Sequence, residues 1–225
     1  MRNTARPKQF LELYGKPIII YTLEIFQKHP EIDQIVVPCV AGWEERLGTM
    51  AENFGITKLT RIVPGGRTSQ DSKLSALRAL REVCRDDDIV LMHDAVRPLI
   101  TEQVITDNLT CVREFGSAIT VDPFTETGIV SEDGETVEDT IERQKLYIAK
   151  APQCFYYSDA LEAHERAKSM PDTTTIDTCT IMTALGKPLH FVSCECANIK
   201  ITTPEDYYIF KAIHDLRESR AVLGF

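Results

Sequence analysis

The amino-acid sequence predicts an α/β fold: a Rossmann-like, mostly parallel sheet flanked by helices, with a β-hairpin arm protruding from it. Three observations predict this. Short apolar or β-branched runs alternate with helical patterns through the first half of the chain, the rhythm of βαβ units. That rhythm breaks after Val121, where Gly128 to Glu138 alternates around Asp133-Gly134 as a hairpin does. At 225 residues the chain can bury a full core as one domain, residues 1–225. A lone hairpin needs something to pack on, so the break reads as an inserted dimerisation arm, residues 125–150.

Each element has its own justification. Pro17 opens a helix through Lys28, because proline is tolerated at the first helical position and Ile18, Thr22, Ile25 and Phe26 then share a face. Ile35 to Val40 is a β-branched run and reads as a strand, with Pro38 marking an edge or a bulge. Gly42 to Phe54 is helical and ends at Gly55. Arg61-Ile62-Val63 makes a short strand into Pro64-Gly65-Gly66, after which Leu74, Leu77, Leu80 and Val83 repeat at helical spacing with Ser69 or Ser72 as the cap. The apolar run Ile89-Val90-Leu91-Met92 follows the acidic cluster Asp86-Asp87-Asp88 and reads as a buried strand entered from a solvated loop. A helix from Thr101 to Phe115 stops at Gly116, and Ser117 to Val121 forms the next strand. Beyond the arm, helices are expected at Ser158 to Lys168 and Ile176 to Leu185, and strands at Leu189 to Ser193 and Asn198 to Thr202. Thr203-Pro204-Glu205-Asp206 combines an N-cap, a first-turn proline and acids facing the helix dipole, so the last helix starts there and runs to about Glu218.

Composition narrows the function. A formal charge of −9 repels nucleic acid and anionic lipid, so neither is expected as a partner. The basic residues that stand out sit singly in short motifs, Lys8, Arg97, Arg143 and Lys200, a pattern that favours a focused pocket for a small anion. No run approaches the roughly 18 apolar residues of a membrane helix, and Met1 to Lys8 lacks the apolar stretch of a signal peptide, so a cytoplasmic protein is expected. The seven cysteines are odd in number and scattered, and Cys194-Glu195-Cys196 is not a Cys-x-x-Cys; they read as buried free thiols.

Chemistry concentrates at one strand end. His93-Asp94-Ala95-Val96-Arg97-Pro98 leaves its strand at the carboxyl edge, where ligands of open α/β sheets bind. An acid followed three residues later by a base, with Pro98 stiffening the exit, suits a site that holds a cation and an anion together. A surface Asp–Arg pair in a strand-to-helix loop is the other reading. Lys8, beside Pro7 and near Phe10, is either a solvated lysine or a held ammonium that binds phosphate as a point charge. Gly65-Gly66 lets backbone N–H groups approach a ligand closely, or is an ordinary turn. Asn198, Lys200 and Thr202 alternate onto one strand face, a site face or an amphipathic edge. Thr127 and Arg143 flank the base of the hairpin, where they could jointly face an anion or a hydroxyl. His93 reads as a strand-end hydrogen-bonding residue, and no Ser-His-Asp or Cys-His arrangement is legible. A reaction whose substrate carries its own nucleophile needs no enzymic one.

Taken in order, Pro7-Lys8-Gln9-Phe10, Gly65-Gly66 with Asp71-Ser72, the hexapeptide, Glu126-Thr127, Glu142-Arg143, Pro152-Gln153, Asp177 and Asn198-Ile199-Lys200-Ile201-Thr202 resemble the cytidylyltransferases that load polyol phosphates onto CTP. The match covers nearly the whole chain. The family contains the methylerythritol-phosphate enzymes of isoprenoid biosynthesis and the ribitol-phosphate enzymes of teichoic acid and related wall-polymer biosynthesis. The resemblance implies transfer of CMP from CTP to a polyol phosphate with release of pyrophosphate, and Mg²⁺ as cofactor. It implies Lys8, Lys200 and Asp94 as catalytic residues, with Lys8, Gly65, Gly66, Ser72, Asp94, Ala95 and Lys200 around CTP and the Gly66 to Ser72 loop reading cytosine. Asp94 would hold the metal. Arg97, Thr127 and Arg143 would bind the polyol phosphate, the last two on an arm exchanged between the subunits of a homodimer. A phosphate monoester is largely dianionic near pH 7 and can attack the α-phosphorus unaided, so the protein has only to align the reactants and neutralise charge.

Val96, Gly42-Trp43, Asp107-Asn108 and Leu146-Tyr147 lean toward ribitol 5-phosphate as acceptor, whereas Ala95 and Thr203 to Asp206 are also at home in enzymes for 2-C-methyl-D-erythritol 4-phosphate, the alternative acceptor. A reading of another class is a non-catalytic dimeric nucleotide-binding module, and a third is a sugar-phosphate nucleotidyltransferase. Three departures from the family pattern stand out. The family begins with a strand and a Gly-rich loop ending in Arg-Met, and Met1 aligns with that Met, so the phosphate-cradling loop is expected to be absent, through a start codon placed too late, a truncated chain or a genuine loss, with activity impaired accordingly. Ala151 replaces a usual Thr before Pro152-Gln153, and Ser69 stands where an Arg is common, with Arg67 nearby.

Overall fold

The computed structural model describes residues 6–168, 177–194 and 196–223. Met1 to Ala5, Ile176 where a helix was expected to start, and Glu195 lie outside the described residues. A 3₁₀ turn at Lys8–Phe10 leads into strands β1 (Glu12–Leu13) and β2 (Lys16–Pro17), a tight antiparallel hairpin whose turn holds Tyr14 at φ 51° and Gly15 at φ 76°. Positive φ at both central residues is what a two-residue hairpin turn of matching twist requires. Pro17 closes this hairpin and sits just outside helix α1 (Ile18–Lys28) as its N-cap, one residue earlier than the sequence reading placed it.

Strand β3 (Ile35–Cys39), helix α2 (Glu44–Asn53) and strand β4 (Leu59–Pro64) follow, and β3 and β4 pair in parallel. Pro38 is accommodated because β3 has a single strand partner among the described residues. Helix α3 (Ser69–Ala79) is capped by Thr68, not by Ser69 or Ser72. The Thr68 hydroxyl accepts from the Asp71 amide while the Asp71 carboxylate accepts from the Thr68 amide, a capping box that satisfies two free donors at once. Strand β5 (Ile89–Met92), helix α4 (Glu102–Phe115), capped by Thr101 and ended by Gly116 at φ 82°, and strand β6 (Ser117–Pro123) come where expected. The arm is a short antiparallel ladder of β7 (Gly128–Val130) and β8 (Asp139–Ile141), with Gly128 opposite Ile141.

A strand not anticipated from the sequence, β9 (Tyr147–Tyr156), lies between β5 and β6 and runs antiparallel to both. It returns the chain from the arm to the centre of the sheet and passes directly into helix α5 (Tyr157–Ala167). Helix α6 (Thr178–Ala184), strand β10 (Phe191–Ser193), parallel to β6, and helix α7 (Pro204–Leu223) complete the α/β fold. Parallel pairing therefore holds for β3–β4 and β6–β10, while β9 makes the four-stranded sheet β10-β6-β9-β5 mixed. The segment 198–202 is not a strand: its backbone bonds the backbone of another element once among the described residues, from the Ile201 amide to the Val96 carbonyl at 2.9 Å.

Side chains of the four-stranded sheet alternate into two cores. Val90, Ile119, Val121 and Phe155 face α3, α5 and α6, where Leu77, Ala160, Ala163, Ile181 and Met182 meet them. Ile89, Leu91, Ala118 and Cys154 point the other way, toward α4. Helix α1 is apolar nearly all round because it serves three clusters: Ile19, Ile20 and Leu23 pack with Cys39 and Leu47, Ile18 packs with Phe210 of α7, and Phe26 packs with Ile105 of α4. Strands β3 and β5 line a cleft of about 1200 Å³, which passes from acids Glu31, Asp33 and Asp86 at the amino ends of these strands to Lys8, Asp94 and Lys200 beyond their carboxyl ends. No helix among the described residues is long and apolar enough to cross a membrane.

Phe155 is 1% exposed at the centre of the first core. Phe155→Ala is expected to cost about 3–5 kcal/mol through lost transfer energy and a residual cavity, read as a drop in the urea midpoint at unchanged slope. Leu216→Ala, at a site 52% exposed on α7, should change stability by about 0.5 kcal/mol or less.

Candidate functional site

The hexapeptide after β5 forms a tight knot. Asp94 accepts from Arg97 Nε at 2.8 Å on one carboxylate oxygen and from Lys200 Nζ at 3.1 Å on the other. Arg97 is buried, and its Nη1 donates to the Asn198 carbonyl at 2.8 Å. Asn198, fully buried, donates through Nδ2 to the Ala151 carbonyl. The Thr22 hydroxyl of α1 donates to the Ala95 carbonyl at 3.0 Å, and His93 Nε2 meets the Arg97 carbonyl at 3.1 Å, so this ring nitrogen carries the proton. A chain segment with no ladder of its own is thus fixed from four directions.

Electrostatics follow from this geometry. Burial pushes the Asp94 carboxyl up, yet Lys200 and Arg97 together outweigh it and hold the group at about 2. Lys8 is lowered, first by burial and then by the neighbouring Lys200. His93 is lowered to about 4 by burial and His164 likewise, with Lys73 adding to the effect on the latter. A carboxylate that stays ionised among ammonium groups, with three lysines lining one cleft beside it, is built to receive anionic oxygens.

The glycine loop borders the site through α3. A side chain at Gly66 would meet Asp71 Cβ at 2.1 Å, and one at Gly65 would meet the Cys39 carbonyl at 2.8 Å, so the tight entry into the capping box admits only glycine at both positions. Ser72 Oγ accepts from the Gly66 amide at 2.9 Å and donates to the Thr68 carbonyl, which makes Ser72 the brace of the loop as well as a lining residue.

Lys8, Ser72, Asp94, Ala95 and Lys200 line the same cleft. Arg97 stands behind Asp94 instead of lining the cleft, with two of its donor groups engaged by protein. Thr127 and Arg143 are both exposed at the base of the arm and do not line the cleft; Arg143 Nη1 donates to the Thr125 carbonyl at 3.3 Å. Asn198 and Lys200 do not share a strand face: Asn198 is buried as a brace and Lys200 is half-exposed. Lys73 lines the cleft too, and the sequence reading missed it. Its signal was the helical row Ser69, Lys73, Leu77 and Leu80, which places a lysine on the inward face of α3.

No group of three His, Cys, Asp or Glu side chains suited to a metal occurs among the described residues. Mg²⁺ bound with phosphates needs only one or two protein carboxylates, since phosphate and water oxygens complete its octahedron. Asp94 fits that donor set, with one oxygen anchored by Arg97 and the other meeting the half-exposed Lys200.

Comparison with known proteins gives consistent matches. A family model described as IspD, 2-C-methyl-D-erythritol 4-phosphate cytidylyltransferase, matches residues 2–215. The chain is 43% identical over 224 residues to a ribitol-5-phosphate cytidylyltransferase of Streptococcus agalactiae serotype III (strain NEM316), covering 100% of this chain and 94% of the relative. It is 36% identical over 211 residues to a 2-C-methyl-D-erythritol 4-phosphate cytidylyltransferase of Clostridium botulinum (strain Langeland / NCTC 10281 / Type F), covering 94% and 90%. Among solved structures, the 2-C-methyl-D-erythritol 4-phosphate cytidylyltransferase from Thermus thermophilus superposes with a TM-score of 0.75 at 26% identity, covering 93% of this chain and 94% of that one.

The site makes stability depend on pH with a definite sign. His93 and His164 titrate near 4 when folded but near 6.5 when unfolded, so the unfolded chain takes up their protons first and stability falls as pH drops from about 6.5 to about 4. Asp94 is depressed instead: its contribution is complete above about 3.8 and is lost as pH falls toward about 2. Imidazole resonances of two of the five histidines should therefore stay in the neutral form down to about pH 5. A urea midpoint that does not move between pH 6.5 and pH 4 would contradict the assignment.

Proposed function

The chain belongs to the 2-C-methyl-D-erythritol 4-phosphate cytidylyltransferase family, and from that premise we propose that it transfers CMP from CTP to ribitol 5-phosphate. It is a CTP-dependent nucleotidyltransferase acting on a polyol phosphate. Ribitol 5-phosphate as acceptor is supported by the identity of 43% along the whole chain to a ribitol-5-phosphate cytidylyltransferase, against 36% to a methylerythritol-phosphate one. The observation that carries the chemistry is the Lys8, Asp94 and Lys200 constellation in one cleft beside the braced glycine loop.

In the reaction, an oxygen of the dianionic phosphate monoester attacks the α-phosphorus of CTP. A new P–O–P bond forms as the bond from the α-phosphorus to the bridging oxygen of the β-phosphate breaks, and pyrophosphate leaves with that electron pair. The nucleophile is already deprotonated near pH 7, so no side chain has to accept a proton. Lys8 and Lys200 approach the phosphoryl oxygens from within the cleft and offset charge that builds up in the transition state. Asp94 fixes Lys200 in place through the 3.1 Å contact and, when Mg²⁺ is bound, supplies it one carboxylate oxygen; the ion's part is to neutralise phosphate charge. Arg97 orients Asp94 from behind.

Thr127 and Arg143 lie apart from this cleft, at the base of an arm that exposes Ile129, Val130, Val137 and Ile141. An exposed apolar arm of this kind supports a homodimer in which those two residues complete the neighbour's acceptor site.

With CTP and Mg²⁺, pyrophosphate release should be faster with ribitol 5-phosphate than with 2-C-methyl-D-erythritol 4-phosphate, by roughly tenfold or more in kcat/KM. Equal or reversed values would move the assignment to the methylerythritol acceptor, and no release with either would refute the enzyme reading. Asp94→Ala and Arg143→Ala should each lose on the order of 10²-fold in kcat. Refolded together in equal amounts, they should form dimers of which roughly half are hybrids, each with one intact site, and so recover about a quarter of the sites. A mixture as inactive as its parents, with hybrids shown by mass spectrometry, would rule out the shared site.

A further inference from the structure

Lys73 is the cleft residue to which neither the family resemblance nor the reaction above gives a task. It sits in the first turns of α3, directly after Ser72, on the row that turns toward the cleft with Ser69, Ala76 and Leu77. Its Nζ donates to Thr178 Oγ1 at 3.4 Å, and among the described residues this is its one hydrogen bond and it forms no ion pair. Thr178 is itself fully buried and tied to His164 Nε2 at 3.1 Å and to the Met92 sulfur at 3.5 Å, so the far end of the lysine is held by a rigid shelf. An ammonium has three donors, and Thr178 uses one.

The charges near it give its place. Asp94 and Lys200 act electrostatically on both Lys8 and Lys73, and all four line the one cleft. Burial lowers the Lys73 pKa, and Asp177 and Asp94 counter it. The lysine is a desolvated cation with donors left over, facing a cleft of about 1200 Å³, and an anion there would interact with it more strongly than with a solvated lysine. Its neighbour in sequence, Ser72, braces the glycine loop, which the family resemblance assigns to the cytosine base, so Lys73 stands in the cleft next to the foot of that loop.

We propose that Lys73 binds the α-phosphate of CTP, the phosphate that is transferred, and keeps hold of it in the cytidylylated product. This rests on the nucleotide reading of the cleft given above. Lys73 is thus a substrate-binding residue of the nucleotide half of the site, and the buried hydroxyl of Thr178 sets its reach.

Isothermal titration of the full chain with CMP, cytidine and inorganic pyrophosphate tests the assignment without relying on turnover. Lys73→Met, which keeps the length and apolar stem of the side chain, should weaken CMP about tenfold, leave cytidine unchanged and leave pyrophosphate unchanged. Lys73→Arg should recover part of the CMP affinity, and a melting temperature within about 2 °C of the parent would set folding aside as the cause. Equal losses for CMP and cytidine would make Lys73 a packing residue, and a loss confined to pyrophosphate would place it at the leaving group; either overturns the proposal. If the parent chain binds none of the three, the nucleotide reading itself fails, whereas parent binding that Lys73→Met does not alter removes only the role of Lys73.

Discussion

The pair between Asp94 and Arg97 is the contact on which the rest of the site depends. Arg97 is buried, and a buried guanidinium without its counter-charge costs about 3–5 kcal/mol, so the loop after β5 has one stable arrangement, the one in which Asp94 turns back onto it. From that arrangement several positions follow. The second donor of Arg97 reaches the Asn198 carbonyl, Asn198 reaches the Ala151 carbonyl, and the Ile201 amide reaches the Val96 carbonyl. Lys200 stands between Asn198 and Ile201 and is thereby delivered to the free oxygen of Asp94. A site assembled from residues about a hundred positions apart in sequence is held by the needs of one buried cation.

The charge balance of the molecule is consistent with this placement. The net charge is −9, yet acids predominate at one end of the cleft, with Glu31, Asp33 and Asp86 at the amino ends of β3 and β5, and Lys8, Lys73 and Lys200 gather around Asp94 at the other end. An acidic surface repels polyanions in general, and a local concentration of ammonium groups in a low-dielectric groove selects a small one. The isolated lysines in the sequence acquire their meaning only when the fold gathers them.

Much of the fold was legible because periodicity and capping are local. The helical row from Leu74 to Leu80, the stop at Gly116 and the Thr203-Pro204 start of α7 each rest on residues within a few positions of one another. β9 was not legible for the opposite reason: Pro152 breaks its pattern, and what makes Tyr147–Tyr156 a strand is the pair of edges that β5 and β6 offer on either side. The cap of α3 was readable in principle, since Thr68 and Asp71 have capping-box spacing, but three hydroxyl residues compete there and only the backbone turn at Gly65-Gly66 decides among them. At 198–202 alternation suggested a strand, and side-chain hydrogen bonds fixed the segment in another way. The motif residues Lys8, Asp94 and Lys200 were found by spacing; Lys73 was overlooked because its neighbours Leu74 and Leu77 made the helix read as core alone.

The central position of β9 also governs how the chain reaches this structure. β5 and β6 come earlier in sequence, but neither touches the other in the finished sheet, because β9 lies between them. They cannot zip together as they emerge; both must be held by helices α1, α3 and α4 while some two dozen residues leave through the arm and return. Sheet completion thus awaits the closure of a long loop, an entropic barrier that affects folding rate more than native stability. The arm is therefore a kinetic element of the monomer as well as part of its outer surface. Shortening the arm would speed assembly of the sheet, and lengthening it would prolong the interval in which two apolar strands stand open to other chains.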